Sequence, residues 1–569
     1  MFGRKDITRF RRRATGSVFG GLAVSWRLIA GNRPARWIAR IRAFRVAVAL
    51  LIFAYVFFGR YVWSPVRRMI RRARKYLGRH EVWYHVIAWG TCGVIGYLLT
   101  ITWWQISDLA IKMLLGAMAA TAFALISFRS PSTALLGYLV CYPLLRSLFY
   151  FKVMEGLPMF TTDSVGMLIL LLVYLVHPKR EVAPAPTRAL HWFMALFMIG
   201  MVIATLRTDA PKRQLQAVLQ QYGIPILIYF FARRWVGDIK RLRACFLMLL
   251  LIGVYFMVFA IPEHFTGRNY FSSTGWSAYW EPELGTVRAQ GPASSPQEFG
   301  LTLTLVYFVG LIRLTHAPAR RKWVFVLLCI ACVVAIAFSL RRSVYLGYGL
   351  GLLVMFAATP RVRRNTAITV CCCILAIAIG WKGLKTSVVY TERITQAGPV
   401  LARAVTNATA LNIAKNHPWF GLGYDKFGEG TRRYLVGYGN IMPWYGRGFV
   451  DPHSSYWTIM VGGGLLAFAP FCCLIFMMFH TGYRIYKRVR GPGLLGRDGI
   501  VAFWAYTLGV LSQAATTNSF FHDRYIIVLM YFYLGALVGT HLREAKAEEP
   551  VAQPVEPVPR RISRRLARA

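Results

Sequence analysis

Acidic residues are scarce in this chain. Of 569 residues, 22 are Asp or Glu against 68 Lys or Arg, for a formal net charge of +46. The carboxylates do not cluster. There is no Asp-x-Asp and no His-Glu-x-x-His, so the sequence lacks the ligand sets that usually hold a divalent metal. No metal and no cofactor is expected. All ten cysteines fall in apolar stretches expected to span a membrane, including Cys371, Cys372, Cys373 and the pair Cys472, Cys473. That placement argues against a disulfide scaffold. Cys329 and Cys332 have a redox or zinc spacing, but they sit mid-helix with no second pair, where small side chains favour helix packing. The N-terminus begins with a basic run (Arg11, Arg12, Arg13) and shows no short apolar region followed by a small-residue cleavage site, so no cleavable signal is expected. No internal repeat is visible.

What is abundant is apolar surface. The chain is 56% hydrophobic and 15% aromatic, more than a soluble domain needs. Runs long enough to cross a roughly 30 Å hydrocarbon core recur through most of the length, for example residues 344–358 and 459–479. The basic residues gather in residues 1–80, in short loops and in residues 542–569, next to the spans, where anionic cytoplasmic lipid attracts them. They do not share one soluble domain and no nucleic-acid module is present, which sets nucleic-acid binding aside.

Charge placement then orients the chain. Arg361, Arg363 and Arg364, then Arg484, Lys487, Arg488 and Arg490, and the tail from Arg560 read as cytoplasmic. The chain must cross outward near 367–381 and return near 455–479, so residues 382–452 form one long external loop. Further spans are expected near 132–151, 164–177, 189–206, 217–234, 242–261, 299–315, 323–340, 343–358, 499–518 and 525–541, about twelve in all with both ends inside. An extra hairpin at 83–104 and 109–128 precedes them. Residues 1–80 read as a basic membrane-surface region with an interfacial or re-entrant helix at 43–58. Residues 542–569 read as a disordered basic cytoplasmic tail. The fold class is all-α: a polytopic transmembrane helical bundle divided at 1–80, 81–131, 132–541 and 542–569.

The external loop holds Asn416-His-Pro-Trp-Phe-Gly-Leu-Gly-Tyr-Asp-Lys-Phe427, followed by Asp451-Pro-His-Ser-Ser-Tyr-Trp457 at the mouth of the next span. Upstream, Arg342-Ser-Val-Tyr-Leu346 opens a span, and Arg403 precedes Pro418 by about fifteen residues on the chain. Arg288-Ala-Gln-Gly-Pro292 with Pro296 and Gly300 opens another span. This ordered set resembles the O-antigen ligase and polymerase superfamily, with its Pro-x-x-Gly-x-Gly turn (Pro418, Gly421, Gly423), a His (His453) with a glycine eleven positions later (Gly464), and its Arg-x-x-x-Leu pattern. Family members usually have Ser before that arginine, whereas Arg341 stands here. Either Arg341 or Arg342 is therefore the one that meets substrate.

The resemblance implies a GT-C-like membrane glycosyltransferase that is inverting and metal-independent. It would move a glycan from a polyprenyl-pyrophosphate carrier, undecaprenyl pyrophosphate in bacteria, to an acceptor hydroxyl on the periplasmic face of the inner membrane. Arg342, Arg403 and His453 are the implied catalytic residues. Arg341, Arg288, Gly421, Gly423, Tyr424 and Asp451 are the implied substrate-binding ones. The residue chemistry agrees, because breaking the bond between an anomeric carbon and pyrophosphate builds negative charge that a guanidinium answers bidentately. An imidazole at 453 suits deprotonation or orientation of the acceptor hydroxyl. Each residue also has a plainer reading. A His at a span end is commonly interfacial, arginines snorkel to headgroups, and glycines permit helix-ending turns or close helix packing, as in Gly347, Gly349, Gly351 and Gly462–Gly464. Lipid A-core as acceptor makes a lipopolysaccharide ligase, a carrier-linked glycan makes an O-antigen or exopolysaccharide polymerase, and a protein makes an oligosaccharyltransferase. A lipid-linked glycan transporter or flippase is the rival of another class.

Overall fold

The computed structural model describes residues 109–148, 150–151, 160–176, 185–271, 277, 280–281, 286–386, 398–435, 452–518 and 523–547. The expected N-terminal surface region 1–80, the first arm of the hairpin and the end of the tail lie outside them, as does Asp451. The described residues are overwhelmingly helical. In chain order the helices are α1 (Leu109–Arg129), α2 (Pro131–Leu148), α3 (Thr162–Val176), α4 (Ala185–Leu206), α5 (Pro211–Val218), α6 (Ile224–Trp235), α7 (Ile239–Thr266) and α8 (Pro296–His316). Then follow α9 (Ala319–Phe338), α10 (Arg342–Ala358), α11 (Pro360–Thr386), α12 (Gly398–Asn416), α13 (Phe427–Tyr434), α14 (Ser455–Arg488), α15 (Arg497–Thr516) and α16 (Arg524–Ala547). Two short antiparallel ribbons, Tyr150–Phe151 with Phe160–Thr161 and Trp280–Glu281 with Thr286–Val287, tie off loops.

Among the described residues, 8 helices are long and apolar enough to cross a membrane, and α10 and α3 contribute shorter apolar helices. The protein is a multi-pass membrane protein with an all-α bundle. The expected spans near 132–151 and 367–381 form as α2 and α11, which are helical but not among those 8. Two expected spans carry irregularities that periodicity does not reveal. The 217–234 span contains a π-turn at Leu219–Gly223 between α5 and α6. The 455–479 span is broken at Gly464, whose φ of 60° and ψ of −163° lie in a region essentially reserved for glycine.

Glycines set the helix crossings. A Cβ on Gly347 would stand 2.9 Å from the Gly509 carbonyl oxygen, and one on Gly351 would stand 2.3 Å from the Phe308 ring, so α10 packs backbone-close on α15 and α8. Gly349 differs from the expected packing role, since nothing lies within 4 Å of the Cβ it would carry. Cys329 and Cys332 are buried in α9, where Cys329 Sγ packs 3.4 Å from the Cβ position of Gly310.

Polar contacts gather particular helix ends together. Ala289 N–H donates to the Phe338 carbonyl at 3.0 Å. Ser455 Oγ donates to the Thr517 carbonyl at 3.3 Å, and Tyr525 N–H donates to Glu298 Oε2 at 3.2 Å. The starts of α8, α10, α14 and α16 thus lie at the same end of the bundle as the finishes of α7, α9 and α15.

Candidate functional site

Arg342 is the first residue of α10, and Arg341 is its N-cap, in extended backbone with no side-chain capping bond. A helix start carries partial positive charge from unpaired N–H groups and prefers a carboxylate or phosphate nearby. Two arginines there reverse the usual arrangement. Arg403 lies on α12. Solvent reaches this side chain, yet the surrounding protein and then the charge of Arg342 push its pKa below the ordinary arginine value. Segments distant in sequence therefore bring like charges within electrostatic reach. Among the described residues, neither Arg342 nor Arg403 has a carboxylate partner.

Arg288 is buried in the stretch leading to α8, one residue before the Ala289 bond to the end of α9, and so belongs to the same neighbourhood. His453 stands just before α14, exposed, with a left-handed φ of 50°. Non-glycine residues adopt that conformation at a cost and rarely without local reason. The Ser455 bond to Thr517 places it at the same end as the arginines.

The glycine turn packs against the bundle. Gly421 and Gly423 have φ of 63° and 101°, which explains glycine at both positions. The space beside them is already filled. A Cβ on Gly421 would lie 2.2 Å from the Val461 carbonyl oxygen, and one on Gly423 would lie 2.0 Å from Thr208 Cγ2. At these two positions the backbone approaches α14 and the end of α4 closely. Tyr424 is only 1% exposed, and its ring meets Tyr222 edge-on with centroids 6.0 Å apart. Burial pushes its phenol well above the ordinary pKa. In this conformation it packs in the interior.

At this end Glu263, Ser295 and Gln221 escaped the sequence reading, whereas Asp523 and Arg524 belong to the turn His522-Asp523-Arg524, which the sequence offers as able to reach the same cavity. Glu263, buried near the end of α7, accepts Gly291 N–H at 2.6 Å and Gln290 N–H at 3.0 Å, and Asn269 Nδ2 donates to its other oxygen at 2.8 Å. It pins the segment that carries Arg288. Ser295 Oγ donates to Asp523, while Arg524 Nε donates to Gln221 Oε1 of the π-turn at 2.7 Å. The only sequence signal for Glu263 is a carboxylate inside an apolar run, which demands partners. Phe420, beside Trp419, lies 4.2 Å beneath the Arg207 guanidinium, and Trp419 is 67% exposed.

Residues 302–472 match the family model described as O-antigen ligase. That stretch is similar to an O-antigen ligase domain. The matched stretch contains Arg341, Arg342, Arg403, the glycine turn and His453, whereas Arg288 precedes it. No curated protein matches the chain. The arginines, the glycine turn and the histidine of the matched stretch thus come from α10, α12, the 417–426 turn and the entry to α14.

Proposed function

We propose that this protein is an inverting, metal-independent glycosyltransferase of the bacterial inner membrane, which moves a glycan from undecaprenyl pyrophosphate to an acceptor hydroxyl on the periplasmic face. What supports this reading is that Arg342 opens α10 with no capping side chain, that neither Arg342 nor Arg403 has a carboxylate partner among the described residues, and that the two charges act on one another. Like charges gathered at a positive helix end lose free energy unless an anion joins them, and a diphosphate of appropriate reach removes that penalty.

The chemistry is a single displacement. The acceptor oxygen attacks the anomeric carbon while the bond from that carbon to the pyrophosphate oxygen breaks. The electron pair leaves on the pyrophosphate, where Arg342 and Arg403 stabilise it. The acceptor proton goes to the His453 imidazole, and one displacement inverts the anomeric centre. Asp451 is assigned to orienting the imidazole. Arg341 and Arg288 extend the positive field around the carrier phosphates, and the turn of Gly421, Gly423 and Tyr424 holds the loop in place. With lipid A-core as acceptor the enzyme is a lipopolysaccharide ligase. With a second carrier-linked glycan it is a polymerase.

The test is transfer in proteoliposomes containing carrier-linked glycan and either lipid A-core or a second carrier-linked glycan, with and without a chelator. Wild type is expected to make an anomerically inverted product from one of the two acceptors, undiminished by the chelator. The Arg342→Ala and His453→Ala variants are expected to lose about 100-fold or more in rate. Movement of the carrier across the bilayer with neither acceptor modified would make the protein a transporter.

A further inference from the structure

The break in α14 and the glycine turn of the external loop form a single connection. Gly464 interrupts the helix, which frees backbone groups that have no water to turn to in an apolar environment. The turn supplies their partners. Leu465 N–H donates to the Pro418 carbonyl at 2.7 Å, Leu466 N–H donates to the Trp419 carbonyl at 3.1 Å, and Leu422 N–H donates to the Val461 carbonyl at 2.8 Å. The fit is steric as well as polar, since a Cβ on Gly464 would fall 2.4 Å from the Trp419 carbonyl carbon and oxygen. No side chain other than hydrogen fits there without separating the loop from the helix.

This connection joins the two halves of the proposed site. His453 precedes the first turns of α14, and Gly464 ends them. Arg403 lies on α12, whose last turns lead through His417 directly into the same glycine turn, with His417 N–H donating to Ile413 carbonyl at 2.9 Å. Ala410 and Ile413 of α12 pack with Val461 of α14 in a small apolar cluster that Trp457 and Leu422 border. At a helical rise of ~1.5 Å per residue, Arg403 lies ~15 Å along α12 from Ile413, and the start of α14 at Ser455, two residues after His453, lies ~9 Å from Val461. The latch therefore ties both groups to one point, each through a rigid helical arm.

We infer that Gly464 is a positioning residue for glycan transfer, which through the 418–422 turn sets the placement of Arg403 relative to His453. This rests on the transferase reading above. A displacement of about 1 Å between groups that must act together costs on the order of 100-fold in rate.

The experiment compares full-length wild type, Gly464→Ala, Gly421→Ala and Gly349→Ala in proteoliposomes, measuring glycan transfer and amide hydrogen exchange in parallel. Gly421→Ala opens the latch from the loop side and leaves the membrane helix unaltered, so it decides the matter if Gly464→Ala does not assemble. Both latch variants are expected to lose about 100-fold in kcat with carrier KM little changed. Exchange should rise across 418–424 and 461–466 while the rest of the bundle stays protected. Gly349→Ala is expected to match wild type. An opened turn with kcat intact overturns the inference, as does a lost kcat with the turn still protected, or a rise in exchange through the whole bundle. If wild type transfers nothing, the transferase reading itself fails and the inference falls with it, an outcome distinct from the others.

Discussion

Arginines meet helices differently at the two ends of the bundle. At the end away from the proposed site their guanidiniums reach carbonyls where helices finish, even where the residue itself, like Arg497 at the start of α15, opens a helix. Arg234 Nη1 donates to the Tyr174 carbonyl in the last turn of α3 at 2.9 Å, and Arg241 Nη1 donates to the Trp235 carbonyl at the close of α6 at 2.8 Å. Arg363 Nε reaches the Phe356 carbonyl near the end of α10 at 3.1 Å, and Arg497 Nε reaches the Val489 carbonyl just past α14 at 3.0 Å. Each neutralises an unpaired carbonyl and the negative end of a helix. At the other end, Arg341 and Arg342 sit where α10 begins, and the charge of Arg342 helps to hold the Arg403 pKa below its ordinary value. Each arginine of the first set bonds a carbonyl of the protein, whereas Arg342 and Arg403 have no carboxylate partner among the described residues. On the reading proposed above, the first set is structural and the second pair serves an anion.

The largest effect that sharpens this contrast comes from Arg342→Ala, which is expected to reduce transfer by about 100-fold or more with thermal stability unchanged or slightly raised. Transfer kinetics alongside a melting curve would check it; a large drop in stability would put Arg342 in the structural class. Arg403→Ala is expected to lose a similar factor, and the double variant should lose much less than the product of the two, because both side chains address one anion. Strict multiplicativity in a double-mutant cycle would separate them.

A third change breaks the contrast within the site end itself. Glu263 there is saturated by backbone and Asn269 donors. Glu263→Gln places an amide NH2 against an N–H donor and should cost about 1–3 kcal/mol of stability, read by denaturation in detergent. The smallest effect belongs to Arg497→Ala at the opposite end, an exposed group whose loss should cost roughly 0.3–1 kcal/mol and leave transfer within about twofold of wild type.

The spans were legible because apolar runs and flanking arginines are local properties, and α7, α8, α14 and α15 lie where periodicity and charge put them. The expectation for Arg342, Arg403 and His453 came from an ordered pattern of residue types resembling the family's, and the structure sets Arg342 and His453 at helix starts that share one end of the bundle. The latch was not, for a physical reason. Gly464 sits in a Gly-Gly-Gly run within an apolar helix, which looks like helix packing, and its φ of 60° makes sense only once the Pro418 and Trp419 carbonyls arrive from the loop. The same holds for Gly421 and Gly423, where a positive φ was readable but the neighbour that fills the space was not. Tyr424 followed the family pattern into the proposed site, and the structure puts its ring against Tyr222. Main-chain pairing between distant segments leaves little trace in residue type.

The most direct test of the central claim is retention of radiolabelled glycan-pyrophosphoryl carrier by detergent-solubilised protein, comparing wild type with Arg342→Ala, Arg403→Ala and Arg497→Ala. The account predicts that the first two variants lose binding by about tenfold or more each, the scale of a charge-assisted contact to phosphate, while Arg497→Ala binds as wild type does. Equal binding by all four proteins would contradict it.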